Sequence, residues 1–166
     1  IIVRDDDVGS YFEQDFARRV RDFQPTGVAR TATVEALRQL GSRPAGTARM
    51  PIVLGPLATM SLVGSLVGAM SAESVQRNRS YLAGRAGTPI ASEHLTIYED
   101  PRVPAGMRSG AYDGEGVARV PMTLVDRGVL TDYLHNSYTA NKAGVPNNAH
   151  ATRGGYGGSV GIGASN

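Results

Sequence analysis

Ala111-Tyr112-Asp113-Gly114-Glu115-Gly116-Val117 opens the most informative segment of the chain. It runs on through Pro121-Met122-Thr123-Leu124-Val125, reverses at Asp126-Arg127-Gly128, and continues as Val129-Leu130-Thr131-Asp132-Tyr133-Leu134-His135. An acidic glycine turn leads into an apolar run rich in β-formers. The glycine of Asp126-Arg127-Gly128 supplies the conformation that a tight reversal needs. The pattern predicts a hairpin with strands over 117–125 and 129–134. Pro121 has no N–H to give a ladder, so it argues for an edge or a bulge. Asn136 or Ser137 then precedes a helical run that stops at Gly144, which is cap and stop in the expected order.

Outward from this stretch the elements are shorter. His94-Leu95-Thr96-Ile97-Tyr98 alternates as a strand, and Pro101 and Pro104 keep the following chain irregular. Upstream, the residues over 50–54 read as a short strand. Pro56 suits the first turn of a helix. The segment 57–70 then carries almost no charge, so it is expected to be a buried helix. On it, Gly64 and Gly68 are four apart, share a face and permit close approach of another backbone. Residues 41–47 form the expected boundary between two units. Before them, 28–40 reads as a helix, with Val34, Leu37 and Leu40 as its stripe and Gly41 as its stop. Residues 1–24 fit helix and strand equally well.

Composition narrows the class. The 166 residues suit one domain, or one domain and a piece of another. The 21 glycines favour turns over long helices. The net charge of +2 is too small to imply a nucleic-acid partner. No cysteine is present, which removes disulfides and thiolate metal sites. Gly55-Pro56 divides the longest apolar run into pieces too short to span a bilayer. The absence of cysteine fits a reducing compartment, and the expected location is cytoplasmic. Both ends look cut, so a fragment of a longer protein is expected.

Four segments together resemble the TldD/PmbA family, the so-called modulators of DNA gyrase, and its PmbA-like (TldE-like) branch in particular. They are Gly64-Ser65-Leu66-Val67-Gly68-Ala69 with Ser80-Tyr81-Leu82; Leu95-Thr96-Ile97 with Glu99-Asp100-Pro101; Asp113-Gly114-Glu115-Gly116-Val117; and Gly128-Val129-Leu130 with Tyr133-Leu134 and Ser137-Tyr138-Thr139-Ala140-Asn141-Lys142-Ala143-Gly144. The resemblance implies an α+β protein. It has a mostly antiparallel, barrel-like C-terminal domain with a buried central helix, preceded by the end of an α/β domain. On that plan, residues 1–46 end the preceding domain and 47–166 begin the C-terminal one. The resemblance further implies a pair of related subunits that cleave peptides, usually unfolded or ribosomally made and modified ones. The TldD-like subunit of such a pair carries His-Glu-x-x-x-His and zinc. Here the matching helix reads Leu62-Val63-Gly64-Ser65-Leu66-Val67-Gly68-Ala69-Met70, with nothing to ligate zinc or act as a general base. By resemblance this chain is the partner without its own metal or catalytic residues, paired with a TldD-like subunit or with a second copy, and acting on a peptide substrate.

Other candidates are weighed beside this reading. Asp113 and Glu115 lie two apart between glycines, where they can hold a cation or simply satisfy backbone N–H groups. With Gly64 and Gly68 they are the residues offered for a substrate or subunit contact. His94, His135 and His150 lack the short spacing of a helical zinc motif, but two of them with Asp113 or Glu115 would make a long-range site. Arg77, Arg79 and Arg85 cluster, and Arg153-Gly154-Gly155 resembles a single RGG element, a weak nucleic-acid signal. Two rival functions follow: a self-sufficient zinc peptidase with ligands outside this stretch, and a regulatory module acting on DNA gyrase or nucleic acid.

Overall fold

The computed structural model describes residues 1–166, which divide into two compact units, Ile1–Val53 and Leu54–Asn166. In the first unit, β1 (Ile2–Arg4) and β2 (Asp7–Gly9) form an antiparallel hairpin in which Val3 faces Val8. Helix α1 (Pro25–Arg38) starts with proline in its first turn and buries Ala36. Gly9 lies so close to α1 that a Cβ there would overlap the carbonyl oxygen of Ala36. The carboxylate of Asp7 accepts the N–H of Gly41 just past the helix. The ambiguous N-terminal stretch resolves into this hairpin and one 3-10 turn, Val20–Asp22, with Phe12 and Phe16 exposed. The strand expected over 50–54 does not form. Ile52 and Val53 are exposed and no neighbouring strand offers them a ladder.

The second unit is built on α2 (Pro56–Ala69), α3 (Ala72–Gln76), β3 (Ile97–Glu99), β4 (Met122–Asp126), β5 (Val129–Leu130), α4 (Ser137–Ala143), β6 (Ala151–Arg153) and β7 (Val160–Ile162). Its strands make two separate antiparallel sheets, β3-β4-β5 and β6-β7. The class is therefore α+β, with small sheets and no closed barrel. The decisive hairpin is present but shorter than expected. β4 begins immediately after Pro121, and β5 ends after two residues. Arg127 and Gly128 both have positive φ, 44° and 80°. At Gly128 a side chain would also collide with the carbonyls of Ala91 and Ser92, so the turn demands glycine twice over.

Met70, Leu82, Leu124, Val125, Leu130 and Leu134 form the core, with Leu66, Val67 and Ile162 packed against it. Leu124 and Val125 are adjacent and point to opposite faces of β4, yet both are buried, so the middle strand is covered on both sides. The end of α2 is pinned to this core. The Leu134 N–H donates to the Met70 carbonyl at 2.9 Å, and the Ala72 N–H to the Leu134 carbonyl at 3.0 Å.

Helix α2 corrects one expectation. It forms where the sequence placed it, but none of its own residues is buried. Only the side carrying Leu66 and Val67 reaches the core. Met60 and Leu62 remain exposed, with no element of the second unit packed over them. Helix α4 matches its expected ends. Asn136 and Thr139 form a reciprocal capping box, and Gly144 closes the helix in the left-handed conformation.

Candidate functional site

Two linked features stand out in the second unit: an open groove beside α2, and a buried polar network that fixes the wall opposite. The groove encloses about 660 Å³. One side is the α2 face carrying Met60, Gly64, Val67 and Gly68, and the other is Ile162 to Asn166. A Cβ on Gly64 or Gly68 would meet nothing within 4 Å. These glycines therefore flatten an open surface and do not admit a neighbouring backbone of this chain. Opposite them, β7 pairs only with β6, so its other edge has no partner strand.

The network begins at Glu99, the inward-facing end of β3. Its Oε1 accepts the Ser165 hydroxyl at 2.6 Å, and its Oε2 faces His150 Nε2 at 3.2 Å. His150 Nδ1 lies 2.9 Å from Asn148 Oδ1, and that oxygen also accepts the His135 N–H at 2.8 Å. Asn148 Nδ2 in turn donates to the Tyr133 carbonyl at 2.8 Å. Both His150 ring nitrogens thus lie within hydrogen-bond reach of an oxygen. Burial pushes Glu99 up, but the hydrogen bonds from His150 and Ser165 and the His150 charge together hold its carboxyl below the usual 4.5. His135 is shifted below the usual 6.5, chiefly by burial, against the pull of Asp132. The network joins β3, β6 and the segment ending at Asn166, so it holds the groove wall in place.

Asp113 is buried as a structural acceptor. Its Oδ1 takes the N–H groups of Glu115 and Val117, both at 2.9 Å, and its Oδ2 takes that of Ala151 at 3.0 Å. Glu115 is exposed, and its Oε2 accepts the Ser137 N–H at the start of α4 at 2.8 Å. The two carboxylates thus serve separate backbone segments and do not meet over a shared ligand. His94 lies on an exposed turn ahead of β3, which begins only at Ile97. His135 and His150 do come together, linked by the His150 N–H to the His135 carbonyl at 3.0 Å. No group of three metal-ligating side chains forms anywhere in the chain. The arginine cluster is dispersed: Arg77 pairs with Glu73 at 2.8 Å, and Arg85 bonds its own turn at Thr88 and Pro89.

A family model for the PmbA/TldA metallopeptidase C-terminal domain matches residues 47–166. The chain belongs to the TldD/PmbA family. Metalloprotease PmbA of Escherichia coli O157:H7 is 33% identical over 144 residues, covering 84% of this chain and 32% of that protein. A metalloprotease of Methanothermobacter thermautotrophicus is 36% identical over 118 residues, 70% of this chain and 26% of its own. Among solved structures, a candidate modulator of a DNA gyrase from Thermotoga maritima superposes with a TM-score of 0.77 at 32% identity, covering 84% of this chain and 32% of that one. TldE from Thermococcus kodakarensis superposes at 0.55 with 31% identity, over 60% of this chain and 23% of its own. The chain thus spans about a third or less of the length of these relatives.

Within this TldD/PmbA chain, sequence reasoning offered Gly64 and Gly68 for a substrate or subunit contact, and both line the groove; it did not single out Glu99 or Ser165. Strand alternation held a signal for the first: Ile97 and Glu99 share a face, so a carboxylate at 99 had to point inward and find partners. Ser165 carried no local signal. No helix of the chain is long and apolar enough to cross a membrane.

Proposed function

We propose that this chain is the PmbA-like (TldE-like) partner of a TldD-type metallopeptidase, and that the groove beside α2 receives an extended peptide. The observation that carries the reading is the open face of α2. At the helix where the resembling catalytic subunit carries His-Glu-x-x-x-His, this chain presents Gly64 and Gly68 to an open groove with no imidazole or carboxylate on that face. Small residues leave room for a backbone. The free edge of β7 offers the ladder groups that bind extended peptides through the main chain, a mode tolerant of side-chain sequence.

The residues present do not fit a zinc ion. His150 engages both ring nitrogens, His135 Nδ1 faces Thr139 Oγ1 at 3.3 Å, and His94 stands alone on the surface. No catalytic step is therefore assigned to this chain. In this reading zinc and the chemistry reside in a cytoplasmic TldD-like partner, the substrate is a small unfolded or modified peptide awaiting maturation, and this chain shapes the channel. Residues 1–46 then end a preceding α/β domain and 47–166 begin the C-terminal one.

The test is elemental metal analysis of the full-length protein, alone and mixed with a TldD-like subunit, with peptide cleavage followed in parallel. Zinc and cleavage only in the mixture support the reading. One equivalent of zinc with cleavage by this protein alone sinks it in favour of a self-sufficient peptidase. A complex formed only with gyrase or DNA sinks it in favour of a regulatory module.

A further inference from the structure

Next to the groove lies a second cleft of about 340 Å³, and the two share Arg108 and Ala164. Its lining brings together three arginines, Arg108 and Arg119 on either side of the acidic turn and Arg153 at the end of β6. The Asp113-Gly114-Glu115-Gly116 turn makes this happen. The chain folds back on itself so that the Arg119 N–H donates to the Ala111 carbonyl at 2.9 Å. The turn then lies flat on β6, with the Gly114 N–H on the Ala151 carbonyl at 2.8 Å. A Cβ at Gly114 would sit only 3.1 Å from the Arg153 nitrogen.

None of the three arginines makes an ion pair. The one carboxylate in the cleft, Asp113, is already committed to three backbone N–H groups. Three arginines beside one saturated carboxylate give the lining an excess of positive residues. Arg119 adds an independent sign. Its guanidinium is held by one bond, to the Arg108 carbonyl at 3.3 Å, while its Nε is buried with no acceptor. A buried donor left without a partner costs about 1–3 kcal/mol, so it marks a place where an acceptor belongs. The Nε–Nη edge of a guanidinium is a fork matched to the two oxygens of an oxyanion.

We infer that the Arg108–Arg119–Arg153 cleft binds an oxyanion, and that its natural occupant is a carboxylate of the peptide lying in the adjoining groove, its C-terminus or an acidic side chain. The peptide source rests on the groove reading above, because Arg108 lines both spaces. The oxyanion site itself does not.

The experiment uses the purified full chain. Arginine Nε–H resonances are followed by NMR during titration with acetate and with inorganic phosphate. Binding of a short apolar peptide is then compared between its free-acid and C-terminally amidated forms. Both anions are expected to shift the Arg119 resonance, and the free acid to bind about tenfold tighter than the amide. Arg119→Gln should abolish that difference. Arg153→Gln, at an exposed position, should reduce it and serves if the first variant does not fold. Unmoved resonances, or equal affinity for acid and amide, overturn the inference. An oligothymidylate that binds more tightly than the acid peptide overturns the peptide as the source. A shift with acetate but no binding of either peptide sinks the groove reading while upholding the oxyanion site.

Discussion

The carboxylate of Glu99 and the imidazole of His150 face each other at 3.2 Å with both side chains almost wholly buried, and the hydroxyl of Ser165 closes on the other carboxylate oxygen. A carboxylate removed from water this far is tolerated only when its oxygens are hydrogen-bonded. Here the pair also ties a strand of one sheet to the other sheet and to the groove wall.

Acid sensitivity follows from the two lowered pKa values. Glu99 prefers the charged form when folded, so its contribution is present above its unfolded value of 4.5 and is lost as pH falls through the lower folded value. His135 prefers the neutral form when folded. The unfolded chain takes that proton first, so stability falls as pH drops below 6.5 until the lower folded value is reached. Urea unfolding followed against pH should show loss in both windows. Glu99→Gln should cost about 1–3 kcal/mol at neutral pH, because an amide N–H donor replaces one of the two carboxylate oxygens that face His150 and Ser165. It should also remove the lower window and keep the upper one. A variant with an unchanged pH profile would show that the pair carries no linkage.

How much of this was legible differs by element. The turn at Gly128 and the cap at Asn136 were, because turns and caps are set by a few neighbouring residues. The burial of α2 was misjudged. An all-apolar helix announces that something must cover it, but its own sequence does not say whether the cover is in the same chain. The meeting of Glu99, His150 and Ser165 joins residues 51 and 66 positions apart, and no local pattern encodes such a contact. The same holds for the cleft lined by Arg108, Arg119 and Arg153, where Arg153 read as part of a single RGG element and instead ends β6.

Asp113 separates a structural carboxylate from a cation ligand. Asp113→Ala leaves three backbone N–H groups without their acceptor, and the expected loss is about 3 kcal/mol. Asp113→Asn keeps one oxygen for Glu115 and Val117 and loses mainly the bond from Ala151, so its loss should be less than half of that. If calcium or zinc raised the melting temperature of the wild type but not of Asp113→Asn, the ligand reading would return.

The capping box of α4 gives a local test. Asn136 Oδ1 accepts the Thr139 N–H at 2.9 Å, and Thr139 Oγ1 accepts the Asn136 N–H at 3.1 Å, both inside the protein. Asn136→Ala should cost about 1–2 kcal/mol, at the upper end of capping effects because the freed donors are buried. Asn136→Asp preserves the acceptor and should recover most of the loss in chemical denaturation. Equal destabilisation by both would assign the effect to packing.

Gly64 distinguishes a core glycine from a groove glycine. Were it holding a neighbouring backbone at close range, Gly64→Ala would clash and destabilise the protein. In the structure a Cβ there meets nothing, and the residue lies within α2 away from its ends. Alanine loses less backbone entropy in a helix than glycine, so Gly64→Ala should stabilise this chain by about 0.5–1 kcal/mol. The same methyl narrows the groove beside β7. Peptide affinity should therefore fall while the melting temperature rises, and Gly64→Leu should deepen the loss of binding without unfolding the chain. Stability and binding moving in opposite directions is the signature of a surface kept flat for a ligand. A fall in both would return Gly64 to a packing role.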